Sequence, residues 1–120
     1  MEIAQIDFQQ LRIKHILYKS KVRSFLYGGA FDAAFFSSSG PIDLWFTTVG
    51  MVRYESEPEI ASLVRLHREL NALALELYNL YRHGQIDQAH DGLKTLEKKS
   101  DQFIEILSHL DKRLQEPLLD

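Results

Sequence analysis

The stretch from Glu57 to His83, EPEIASLVRLHRELNALALELYNLYRH, decides how the chain is read. Wound as a helix, it gathers Ile60, Leu63, Val64, His67, Leu70, Asn71, Ala74, Leu77, Tyr78 and Tyr81 on one face, following the i, i+3, i+4, i+7 rule. Two of these inward positions are polar. His67 and Asn71 stand four residues apart, so their side chains are neighbours aimed at whatever the apolar stripe is buried against. A helix over 57–83 with two polar residues in its buried face points to a site in a bundle core.

The flanking sequence supplies the rest of that bundle. Downstream, from Gln85, the positions Ile86, Ala89, Leu93, Leu96, Ser100, Phe103, Leu107, Leu110 and Leu114 alternate three and four apart, the pattern of a helix seam. Pro117 is expected to stop that helix and the tail 118–120 to fray. Upstream, Pro41 and Asp43 open a short helix over 41–52 that carries Ile42, Trp45, Phe46, Val49 and Val52. Trp45 is read as packing. Ser56, with Glu59 three residues on, reads as a cap for the long helix.

The first helix is expected over 6–28, with Leu11, His15, Tyr18, Val22 and Phe25 facing inward, Leu17 and Leu26 flanking them, and Gly28 and Gly29 ending it. Between them, residues 30–40 mix phenylalanines with serines. They either plug the end of the core or serve a dimer contact. With no strand-like alternation anywhere, the expected fold is all-α, an antiparallel four-helix bundle of three long helices and one short, filling residues 1–120 as one domain.

Composition narrows the function. There are no cysteines, so thiolate ligands, disulfides and cysteine nucleophiles are excluded, and any metal must be held by nitrogen and oxygen. A formal charge of −3 argues against a nucleic-acid partner. Arg12, Lys14, Lys19, Lys21 and Arg23 of the first helix read as a solvated face, because no aromatics interleave with them. No apolar run nears the ~20 residues of a membrane span, and the amino terminus has no signal pattern, so a cytoplasmic location is expected. Phosphate loops, GxSxG, HExxH, the ExxH pairs of di-iron bundles and paired carboxylates on an apolar face are all missing, so no enzyme is expected. What remains is His15 on one stripe and His67 with Asn71 on another. His83, His90 and His109 fall at a helix end or off the seam and read as solvated.

These residues carry a resemblance. The chain resembles the chemoreceptor zinc-binding (CZB) domain, a bacterial four-helix module of soluble chemoreceptors and some diguanylate cyclases. The family motif is a His-x-aromatic-or-aliphatic in the first helix, then Cys-x-aliphatic-Gly-x-Trp, then His-x-x-x-His, with three histidines and the cysteine holding zinc. His15-Ile16-Leu17 is similar to the first part. After 22 residues Gly40-Pro41-Ile42-Asp43-Leu44-Trp45 falls on the second, and after a further 21 His67-Arg68-Glu69-Leu70-Asn71 falls on the third. The stretches 14–20 and 25–28 read like the family too, and the resemblance covers nearly the whole chain.

The departures fall on the ligands themselves: Gly40 stands for the cysteine, Asp43 for the motif glycine and Asn71 for the second histidine of the pair. A shifted register, with Gly50 on the motif glycine and Thr47 on the cysteine, loses Trp45. Structural zinc takes four nitrogen or thiolate ligands, and its binding supplies on the order of 10 kcal/mol. Two imidazoles and a neutral amide do not reproduce that grip. Hence the expectation is a non-enzymatic signalling sensor module with a vestigial zinc site at His15, His67, Asn71 and Asp43 and no cofactor. Its alternative is a working zinc or other divalent-metal sensor using His15, His67 and Asp43. The resemblance further implies a homodimer and a signalling protein as partner, in chemotaxis or a related pathway.

Overall fold

The computed structural model describes residues 3–115, and every described element is helical. In order these are α1 (Ile3–Leu26), α2 (Pro41–Trp45), a π-helical turn (Phe46–Gly50), α3 (Met51–Arg53), α4 (Pro58–Arg82) and α5 (Ile86–Gln115). Cross-helix pairs set their directions. Arg12 meets Ser108 and Arg23 meets Glu97, so α1 and α5 are antiparallel. Glu59 meets Arg113 and Glu69 meets Lys99, so α4 and α5 are antiparallel too. Tyr18 meets Asn71 and Phe25 meets Tyr78, so α1 and α4 run together. The segment α2–α3 returns along α1, with Asp43 at the level of His67 and Tyr54 at the level of Asp7. The result is the expected four-helix bundle, 59 × 24 × 22 Å, with a short second helix.

The α5 seam is buried as read from Ala89 to Leu110; Ile86 is more open at 36 % exposure. In α4 the inward face also takes Leu66, which fell outside the expected stripe because a wide core-facing arc takes in positions beyond it. Gly28, at φ 102, lets the chain leave α1 in a left-handed turn that a side chain would oppose. Beyond it the phenylalanines close the end of the core. Phe31 stacks on Tyr78 with ring centres 3.9 Å apart, and Phe36 meets Phe25 and Tyr18 edge-on at 5.5 and 5.2 Å.

Several local expectations are corrected. Helix α1 runs from Ile3 to Leu26 rather than over 6–28, its buried face also takes Asp7 and Phe8, which the expected stripe left out, and Leu17 points to solvent at 47 % exposure. The short helix is not uniform. The hydroxyl of Thr47 bonds back to the carbonyls of Asp43 and Leu44, that of Thr48 to Leu44, and the turn widens to π geometry over Phe46–Gly50. That wider turn shifts the register and puts Val52 outside at 70 % exposure. Ser56 does not cap α4: Glu57 holds the cap position without a side-chain bond, Pro58 opens the helix, and Glu59 pairs with Arg113. The expected stop at Pro117 and the tail 118–120 lie outside the described residues.

Among the described residues no helix is long and apolar enough to cross a membrane.

Candidate functional site

His15 sits halfway along α1 and is fully buried. Its ring lies flat against Phe103 of α5, centres 4.4 Å apart and planes 7° apart, and Nε2 is 2.6 Å from Ser100 Oγ. Nδ1 has no hydrogen-bond partner among the described residues. Burial, with smaller contributions from His67 and Lys19, pulls the imidazole pKa from 6.5 to about 3, because a charge there would lose its water without gaining a counter-ion. His15 is therefore neutral at pH 7.

His67, one-hundredth exposed, faces it from α4 across a shared aromatic wall. The His67 ring centre is 5.2 Å from that of Tyr18 and 6.5 Å from that of Phe103. Its Nε2 donates to Asp43 Oδ2 at 3.0 Å, a bond that fixes the proton on Nε2 because a carboxylate only accepts. Its Nδ1 is again unpartnered. Asn71, one turn on, donates from Nδ2 to the same Asp43 oxygen at 3.3 Å and accepts the Tyr18 hydroxyl on Oδ1 at 2.8 Å. Burial, followed by the Asp43 charge, holds the Tyr18 phenol well above its ordinary range, so it stays a donor. Tyr18, Asn71, Asp43 and His67 thus form one chain of hydrogen bonds through α1, α4 and α2. It joins three helices that apolar packing alone would let slide.

The site residues expected from sequence are brought to one level of the bundle, but in two groups. Asp43, His67 and Asn71 touch one another, whereas His15 is held by Ser100. As zinc ligands these residues fall short of four. Nε2 of each imidazole is taken by a protein oxygen, which leaves one Nδ1 on each ring as an open ligand atom, and the Asn71 amide turns its donor end, not a ligand atom, toward Asp43. Position 40 is closed: a Cβ on Gly40 would lie 2.2 Å from the backbone oxygen of Phe35. Among the described residues no group of three or more His, Cys, Asp or Glu is placed to hold a metal ion.

A second polar cluster was not anticipated. Asp7, 4 % exposed, accepts Arg53 Nη1 on both carboxylate oxygens at 3.0 and 2.9 Å and the Tyr54 hydroxyl at 2.6 Å. Trp45 Nε1 donates to the Asp7 carbonyl at 3.1 Å. Burial, then the hydrogen bond to Asp7, raises the Tyr54 phenol. This cluster clamps the start of α1 to α2–α3.

Tyr18 and Ser100 are the members of the first site that sequence reasoning missed. Each had a signal: Ser100 is the one hydroxyl on the α5 seam, and Tyr18 follows His15 by three residues on the same face. Of the other histidines, His83 and His109 are exposed as expected. His90 is not simply solvated, since its Nε2 bonds the Leu26 carbonyl at 2.8 Å and its ring stacks on Tyr27. It satisfies an orphan carbonyl at the end of α1.

No known family model, curated protein or solved structure matches the chain.

Proposed function

We propose that this chain is a non-enzymatic bacterial signalling module of the chemoreceptor zinc-binding type, in which a hydrogen-bonded core has taken over the place of the metal. The observation that carries this reading is Asp43. It stands where the resemblance puts the motif glycine, and its carboxylate bridges His67 and Asn71, the two positions that the resemblance assigns to the His-x-x-x-His pair. A fixed carboxylate accepting from both side chains ties α2 to α4 by charge-assisted hydrogen bonds, the cross-link that a shared metal ion would otherwise make. The module then acts as a folded docking or sensing unit, as a homodimer alongside a signalling partner in the cytoplasm.

Equilibrium dialysis with zinc, run on the wild type and on Asn71→His, tests the reading. The wild type is expected to take up no stoichiometric zinc at sub-micromolar concentration. Asn71→His restores the histidine pair beside Asp43 and is expected to gain zinc binding, with His67→Ala abolishing the gain. Tight stoichiometric binding by the wild type, lost in Asp43→Ala, overturns the vestigial reading in favour of a working sensor built on His15, His67 and Asp43. No gain in Asn71→His overturns the motif register.

A further inference from the structure

Helix α1 buries one side and leaves the other bare. Steps of 100° per residue place Ile3, Ile6, Ile13, Ile16 and Leu17 together opposite the buried stripe, at 64, 41, 58, 60 and 47 % exposure. Only uncharged residues, such as Gln9, Gln10 and Ser20, share this strip. Its edges are cationic apart from Gln5, and Arg23 is paired there with Glu97 of α5. Arg12, Lys19 and Arg23 line one side and Lys14 and Lys21 the other, so α1 holds five of the chain's 14 basic residues. Its one acid, Asp7, is turned inward and held by Arg53 and Tyr54. Lys14 and Lys19 make no ion pair among the described residues. The basic residues that read as a plain solvated face are thus the rim of an apolar strip, in a chain whose net charge is −3.

The shape and charge of the strip select its occupant. A second copy docked by the same face about a two-fold axis would set these cations against themselves. A single partner helix reads a narrow seam, whereas Ile16 and Ile3 bound an arc of about 140°. An anionic bilayer accepts a wide, shallow apolar strip at the headgroup boundary and offers negative charge along both edges at once.

We infer that the outer face of α1 lays this module flat on an anionic lipid surface. Ile6, Ile13, Ile16 and Leu17 enter the headgroup boundary, and the long cationic side chains on either edge reach the lipid phosphates. The acidic remainder of the bundle faces away from the membrane. This inference is independent of the metal question and of the proposed function.

The test is co-sedimentation of the full chain with large unilamellar vesicles, either 3:1 phosphatidylcholine:phosphatidylglycerol or pure phosphatidylcholine, at low and high salt. Partition onto the anionic vesicles is expected to exceed that onto the neutral ones at least tenfold and to collapse at high salt. Ile13→Gln with Leu17→Gln, and separately Lys14→Glu with Lys21→Glu, should each weaken it at least tenfold while circular dichroism stays unchanged, because none of the four residues is buried. Equal partition onto both vesicles, no partition onto either, or no effect of the Ile13→Gln/Leu17→Gln pair overturns the inference. So does concentration-dependent dimerisation that the same pair abolishes, which would give the face to a second copy. Binding of an acidic amphipathic peptide without vesicle binding would give it to a protein partner and overturn the inference as well.

Discussion

Replacing Asp43 by Ala isolates the bond that organises the polar core. The lost carboxylate is part-exposed, with its side chain 22 % accessible, so its own removal from solvent contributes little. The cost falls on His67, which is 1 % exposed and whose Nδ1 is already without a partner. Without Asp43 both ring nitrogens are orphaned in a site walled by Tyr18, Phe46 and Phe103. A buried polar group left unsatisfied costs about 1–3 kcal/mol, so Asp43→Ala is expected to destabilise the fold by about 2 kcal/mol. For a chain of this size that lowers Tm by roughly 6–12 °C. Urea unfolding followed by circular dichroism reads the change as a shift in midpoint at constant slope. The reasoning is sharpest in a double-mutant cycle with His67→Leu. There the imidazole is gone and the remaining loss is the Asn71 amide bond to the same oxygen, so Asp43→Ala should cost about 1 kcal/mol less than in the wild type. Equal losses in the two backgrounds, or a loss below about 0.5 kcal/mol in the wild type, would refute the claim that the carboxylate acts through His67.

Three further outcomes follow from the same packing. Ser100→Ala removes the one hydrogen-bond partner that His15 has among the described residues and should cost about 1–3 kcal/mol in the same urea assay. His15 makes stability depend on pH: its folded pKa, about 3, lies below the ordinary 6.5, so between these values the unfolded chain binds the proton and the folded one does not. Its contribution is complete above pH 6.5 and falls as the pH drops toward 3, by about 2–3 kcal/mol at pH 4.5. Urea midpoints from pH 7.5 to 4.5 should fall less steeply in His15→Leu than in the wild type. Gly40→Ala sets a Cβ against the Phe35 carbonyl, a backbone atom that cannot swing aside, and should cost about 1–3 kcal/mol, read as a lower thermal midpoint.

Much of the bundle was legible because helical burial is periodic. The three-four spacing from Ala89 to Leu110 names the α5 core residue by residue, and the inward placement of His15 and His67 follows from the same arithmetic. Periodicity failed where something other than burial sets the backbone. Thr47 and Thr48 draw the short helix into a π turn through bonds to carbonyls, a competition that no hydrophobic pattern records. The Ser56 cap failed because Pro58 started the helix later and Arg113, distant in sequence, claimed Glu59.

The sequence by itself determined most of the inward face of each long helix, since that follows from the rise and turn of a helix and the apolar pattern laid along it, but not the burial of Asp7, Phe8 and Leu66 or the outward turn of Leu17 and Val52. Which polar groups then find one another was decided by tertiary structure. Hydrogen bonds are short and directional, so whether Asp43 meets His67, or His15 meets Ser100, depends on the relative depth and rotation of separate helices. The same holds for the outer strip of α1. Its isoleucines could have been covered by another helix, and only the assembled bundle leaves them bare.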